Sequence, residues 1–160
     1  MIKLIDILEN KILVPRRSKE ERDKNYKIAL QKKIQQYIKD GGEGDLDLDN
    51  APIDSLPNSL TKVGGYLDLE NTLITSLPDN LKVGGGLYLN KTKITSLPDN
   101  LQVGGNFDLE DIKITSLPDN LKVGGYLNLG NTPLSKKYSK EEIKKMIEDK
   151  GGEVKREIYI

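Results

Sequence analysis

The side chains best able to do chemistry in this chain are carboxylates spaced two residues apart: Asp45, Asp47 and Asp49, then Asp68 and Glu70, then Asp108 and Glu110. Such an array can act as an acid and base pair, hold a hard cation through oxygen ligands, or attract a basic surface. The chain contains no histidine and no cysteine. Those absences remove the Ser/His/Asp and Cys/His constellations, the commonest general base at neutral pH and every thiolate metal centre. Ser76, Ser96 and Ser116 have no base to activate them, so a carboxylate pair is the only catalytic chemistry left and an enzyme is not expected. Stacked carboxylates such as Asp47 and Asp68 offer oxygens to Ca²⁺, but no loop of converging ligands accompanies them. No metal or other cofactor is expected.

The elements that must position these carboxylates are written as a repeat. Apolar-polar-apolar triplets begin at Leu46, Leu67, Leu87, Phe107 and Leu127, at intervals of 21, 20, 20 and 20 residues. The longer first interval reflects one extra residue in Leu60-Thr61-Lys62-Val63 relative to Leu81-Lys82-Val83. A period of two is that of a half-buried strand. Each triplet is followed by an inward apolar residue, at Ile53, Ile74, Ile94, Ile114 and Leu134, and in the four full units by Ser-Leu-Pro. Proline cannot donate to a central ladder, so that stretch reads as a return arm. Pro-Asp-Asn then turns, Asp79, Asp99 and Asp119 serving as turn formers. Leu81 and Val83 re-enter the core, and Gly-Gly reverses the chain where positive φ or close backbone approach is needed. The Lys-Val-Gly-Gly strings lack the spacing of a phosphate-binding loop and recur once per unit, which marks them as turns.

Stacking such units gives a solenoid whose parallel strands lie about 4.8 Å apart. A twenty-residue unit leaves no room for a helix on the return side, which is expected to be extended or to hold short 3₁₀ turns. These residues resemble the leucine-rich repeat family, whose unit runs Leu-x-Leu-x-x-Asn-x-Leu into a variable convex arm. The Leu-Pro-containing variant is similar to the short repeats of bacterial effectors and of bacteriophage and viral proteins. The resemblance implies a right-handed coil with a parallel sheet on its concave face and binding through that face. Two departures stand out. The usual asparagine position holds Ala51, Thr72, Thr92, Ile112 and Thr132, and valine followed by Gly-Gly stands near the family's first leucine.

An open stack needs caps. The expected organisation is an N-terminal helical cap over residues 1–42, repeats over 43–134 and a helix-strand cap over 135–160, all in one structural domain. Ser18-Lys19-Glu20-Glu21 and Ser139-Lys140-Glu141-Glu142 are capping boxes, predicting helices over 18–39 and 139–149, each stopped by Gly-Gly. A shorter helix is expected at about 2–10, before a turn at Pro15. After the last helix Val154, Arg156, Ile158 and Ile160 keep strand parity, predicting a sixth parallel strand reached by a crossover helix.

With the leucines turned inward, the intervening positions form three outward columns. They read Asp45, Tyr66, Gly86, Asn106, Tyr126; then Asp47, Asp68, Tyr88, Asp108, Asn128; then Asp49, Glu70, Asn90, Glu110, Gly130. Seven of the fifteen are acidic, three are tyrosine and none is basic. Like charges on adjacent strands repel, so the sheet itself gains nothing from them. The expected function is non-enzymatic protein binding, with a basic partner taken by Asp45, Asp47, Asp49, Asp68, Glu70, Asp108 and Glu110. Tyr66, Tyr88 and Tyr126 would be anchors, with Asn90 and Asn128 beside them. The bland alternative is that an exposed strand face simply needs polar residues.

Net charge is zero by cancellation: residues 1–40 carry 11 basic against 6 acidic side chains, residues 41–135 carry 6 against 13, and residues 136–160 carry 8 against 6. The basic N-terminal stretch, with Arg16, Arg17, Lys19, Arg22, Lys24, Lys27, Lys32, Lys33 and Lys39, is diluted by Glu20, Glu21 and Asp23, which favours a solvated helix face over nucleic-acid binding. That stretch meeting the acidic face of another molecule would give weak self-association; otherwise the chain is expected to be a monomer. A second class of function is a structural or accessory protein, such as a phage or viral assembly component, contacting partners through its caps. Asp6 and Glu9 interrupt the apolar start and no segment is long and apolar enough to span a membrane, so a cytoplasmic protein is expected, in the host cytoplasm if viral.

Overall fold

A computed structural model describes residues 18–160, which fall into two compact units divided between Ile34 and Gln35. The expected helix at 2–10 and the turn at Pro15 lie outside the described residues, as do Arg16 and Arg17.

Helix α1 (Lys19–Lys39) begins at the first capping box, where the Glu21 amide donates to Ser18 Oγ and the Ser18 amide to Glu21 Oε2, both at 3.1 Å. It ends at Gly41, whose φ of 89° only glycine adopts cheaply, and the Gly42 amide donates back to Tyr37 O at 3.0 Å. The Tyr37 hydroxyl donates to Gly42 O and Gly44 O, tying the last turn of α1 to the chain that leads into the repeats.

The repeats form a β-solenoid of two parallel sheets. The first has six strands, in spatial order β1 (Leu46–Asp47), β3 (Leu67–Asp68), β5 (Leu87–Tyr88), β7 (Phe107–Asp108), β9 (Leu127–Asn128) and β11 (Ile158–Tyr159). The sixth strand expected from parity is therefore present. The second sheet has five strands, β2 (Lys62–Val63), β4 (Lys82–Val83), β6 (Gln102–Val103), β8 (Lys122–Val123) and β10 (Glu153–Val154). The Lys-Val strings anticipated as turns are thus ladder strands in their own right. Val154 belongs to this second sheet, and only Ile158–Tyr159 joins the first.

Each coil buries the same side chains. Leu67, Leu87, Phe107 and Leu127 stack directly, with Leu69, Leu89, Leu109 and Leu129 beside them, all fully buried. Ile74, Ile94 and Ile114 close the core from the return arm, which holds neither helix nor 3₁₀ turn. At the repeat position held by Ala51, Thr72, Thr92, Ile112 and Thr132, the three threonines each donate Oγ1 to the carbonyl three residues back, at 2.7–2.8 Å. Ala51 and Ile112 fill the position with hydrocarbon.

The glycine pairs within the repeats, from Gly64-Gly65 to Gly124-Gly125, serve close approach, whereas those that end the helices take positive φ, at Gly41, Gly42 and Gly151. A Cβ on Gly105 would lie 2.8 Å from Gly85 C and 2.9 Å from Gly86 N, both backbone atoms of the preceding coil. Within the repeats positive φ falls instead on Asn80, Asn100 and Asn120 in the Pro-Asp-Asn turns, and on Asn50, Asn71, Lys91, Asp111 and Asn131 just past the outward columns. Asparagine tolerates that region better than other residues with a Cβ.

Beyond β9 the pattern breaks. Thr132 accepts from the Ser135 amide and Pro133 occupies the first turn, so a five-residue helix, α2 (Pro133–Lys137), replaces the Ser-Leu-Pro arm. Helix α3 (Lys140–Asp149) follows from the second capping box, burying Ile143 and Ile147 one turn apart, and stops where predicted, at Gly151 and Gly152. Among the described residues no helix is long and apolar enough to cross a membrane.

Candidate functional site

The strand register builds the three outward columns as read from the sequence. Asp47, Asp68, Tyr88, Asp108 and Asn128 are successive Cα partners across the first sheet, and Tyr159 on β11 extends the column by one. Tyr159 was legible from the parity of Ile158 but is not among the expected site residues. Its ring meets Tyr126 edge to face at 5.5 Å, and Tyr66 meets Tyr88 likewise at 6.4 Å. The tyrosines therefore form two pairs on an otherwise acidic face. Asp45, Asp47 and Asp49 are exposed, whereas Tyr66, Asp68, Glu70, Tyr88, Asn90, Asp108, Glu110, Tyr126 and Asn128 are half-buried among their neighbours.

The middle column repeats one hydrogen bond. Its side-chain oxygen accepts from the backbone amide two residues on: Asp47 from Asp49, Asp68 from Glu70, Asp108 from Glu110 and Asn128 from Gly130, all at 3.0–3.1 Å. Those amides would otherwise lack a partner. Asn128 makes the bond as well as any aspartate, and Tyr88 stands in the same column without making it, so the fold does not require a charge there. Between coils, Asn128 Nδ2 donates to Asp108 Oδ1 at 3.1 Å, the Tyr66 amide to Asp45 Oδ1 at 2.9 Å and Asn71 Nδ2 to Asp49 Oδ1 at 3.1 Å.

Where aspartates stack, charge accumulates. Burial pushes the Asp68 carboxyl above the ordinary carboxylate range, and Asp49 and Asp47 add to the shift against the amide bond from Glu70. Glu70 is raised by burial and by Asp68, Asp49 and Asp108, with only Lys91 opposing. Tyr88 is raised by burial, then by Tyr126 and the surrounding carboxylates. Each shift makes the anionic form costlier here than in water.

Asp49, Asp68 and Glu70 bring one oxygen each to within 4.8 Å of one another. The trio differs from the anticipated Asp47 and Asp68 pair because column neighbours on adjacent strands also meet diagonally. Three such ligands fall short of the six to eight oxygens that Ca²⁺ takes. What the face can do well is attract positive charge: seven acidic side chains and no basic one occupy its fifteen outward positions. On α1, Arg22, Lys24, Lys27, Lys32, Lys33 and Lys39 are exposed.

Comparison with protein-family models, with curated proteins and with solved structures returned no match.

Proposed function

We propose that this chain is a non-enzymatic protein-binding module, a leucine-rich-repeat-like right-handed coil with helical caps, that takes a basic protein segment on the acidic, tyrosine-bearing face of its six-stranded sheet. The observation carrying this reading is the equivalence of Asn128 and the aspartates of the middle column. The hydrogen bond at each position needs an acceptor, yet Asp47, Asp68 and Asp108 supply a charge as well. Half-buried carboxylates with raised pKa oppose folding of the ionised chain, and a cationic partner would relieve that repulsion. The paired tyrosines add rigid, amphipathic contact area of the kind that anchors interfaces.

The test exchanges charge for an isosteric amide. Asp68→Asn/Asp108→Asn keeps both acceptor oxygens, so its circular dichroism spectrum should match wild type. Its affinity for a lysine- and arginine-rich peptide, measured by calorimetry at low salt, should fall by about tenfold or more, the loss expected of two partly screened charge pairs. Unchanged affinity would leave the face with no role beyond solubility.

A further inference from the structure

The second sheet presents a column of its own. Lys62, Lys82, Gln102 and Lys122 are successive Cα partners on β2, β4, β6 and β8, with their side chains directed away from the buried valines that follow them. Lys82 and Lys122 are exposed, and among the described residues neither forms a salt bridge with a carboxylate, while Lys62 pairs with Glu43. The column lines an open groove of about 710 Å³ together with Gly64, Gly84, Gly104 and Gly124, and Glu43 and Glu153 line it as well.

The order of charges along this column is the complement of that on the acidic face. From β2 to β8 it reads positive, positive, neutral, positive. From β1 to β7 the middle acidic column, Asp47, Asp68, Tyr88, Asp108, reads negative, negative, neutral, negative, and so does the next, Asp49, Glu70, Asn90, Glu110. Both ladders belong to the same coils and share one pitch of about 4.8 Å. Two solenoids set side by side and parallel therefore place every lysine opposite a carboxylate and Gln102 opposite Tyr88 or Asn90. Glu153, the next residue in the lysine column, then falls opposite Asn128 or Gly130, both uncharged. Antiparallel packing over the same four coils puts the neutral positions out of step and leaves a lysine facing a neutral residue.

We propose that the lysine column of the second sheet docks on the acidic face of a second copy of this chain, the two solenoids parallel and their coils in step. The inference rests on the reading of the acidic face as a docking surface and names its partner. The groove of about 710 Å³ that the lysines line leaves space for the tyrosines that stand among the carboxylates. Because the two surfaces differ, the contact is heterologous, and each added copy leaves one face of each kind open unless the row closes on itself. Exposed ion pairs are weak and screened, so association is concentration-dependent and sensitive to salt.

Sedimentation velocity of the full chain tests this. At about 0.01 M salt, where the Debye length is about 30 Å, wild type should sediment faster as its concentration rises, and the effect should vanish near 1 M salt. Lys82→Gln/Lys122→Gln, which repeats the glutamine already standing at Gln102, should weaken association about tenfold while leaving the circular dichroism spectrum unchanged. Lys82→Glu/Lys122→Glu and Glu70→Lys/Glu110→Lys should each remain monomeric alone and associate when mixed, because each then carries the face the other lacks. Wild type that stays monomeric at low salt, glutamine variants that associate undiminished, or a mixture of folded charge-reversed variants that does not associate would each overturn the inference. If wild type stays monomeric yet binds the basic peptide through Asp68 and Asp108, this inference fails while the acidic face remains a docking surface.

Discussion

Replacing Gly105 by alanine tests how tightly the coils are stacked. The added Cβ would lie 2.8 Å from Gly85 C, 2.9 Å from Gly86 N and 3.0 Å from Gly85 O. Carbon atoms in contact rest at about 3.5–4.0 Å, so the two coils must part by roughly 0.5–1 Å at a point where no flexible side chain can give way. The displaced segment carries two inter-coil hydrogen bonds, Gly105 N to Gly85 O and Gly125 N to Gly105 O, both at 2.8 Å. Overpacking of this kind costs about 1–3 kcal/mol, and weakening two backbone bonds adds about 1–2 kcal/mol. Loss of glycine's freedom in the unfolded chain returns about 0.4–1 kcal/mol. The net is a destabilisation of about 2–4 kcal/mol, or a fall in thermal midpoint of about 5–15 °C for a chain of this size. Thermal denaturation followed by circular dichroism measures it. Gly130→Ala is the control, because its Cβ would meet only side-chain atoms, the nearest being Asn128 Oδ1 at 3.2 Å, and a change within about 0.5 kcal/mol is expected. An unchanged or raised midpoint for Gly105→Ala would refute the close-approach account of the glycine pairs.

Two other perturbations follow from the same geometry. Thr72→Val should be nearly neutral in urea denaturation, since Ala51 and Ile112 already fill that position without a hydroxyl, whereas Thr132→Val should cost about 1 kcal/mol more because Thr132 also caps α2. The pH dependence has a definite sign. Asp68 and Glu70 have folded pKa values raised above their unfolded ones, so the stability they contribute is present in full below the unfolded carboxylate range and is lost as pH rises through the folded values. Acidifying from about pH 7 to about 4.5 should therefore raise the thermal midpoint relative to Asp68→Asn/Glu70→Gln, and parallel profiles for the two proteins would contradict the shifts. Glu142 runs the other way: the Ser139 hydrogen bonds lower its pKa, and its contribution fades as pH falls through that lowered value.

Much of this architecture was legible because a repeat states each instruction several times. The leucine triplets, the inward isoleucines, both capping boxes and the sixth strand could be placed from spacing alone. The second sheet could not. Its strands are no shorter than those of the first sheet, but in the repeats each runs directly into Gly-Gly, a pair that reads as a turn and hides the ladder before it. Helix α2 was overlooked although its signals, Thr132 as cap and Pro133 in the first turn, are ordinary ones; continuity of the repeat suggested another extended arm. Likewise the left-handed positions pass from glycine to asparagine because the glycine pairs are already committed to close stacking. The outward columns followed from parity, while the diagonal meeting of Asp49, Asp68 and Glu70 depends on side-chain directions that parity does not specify.

The central claim is that the charge at Asp68 and Asp108 serves something other than the fold. The thermal midpoint of Asp68→Asn/Asp108→Asn against wild type, at neutral pH and low salt, tests it most directly. Because Asn128 shows that an amide makes the same bond, the account predicts a midpoint equal to or above that of wild type. A fall of more than about 4 °C, corresponding to at least 1 kcal/mol lost, would make the carboxylates part of the scaffold and contradict it.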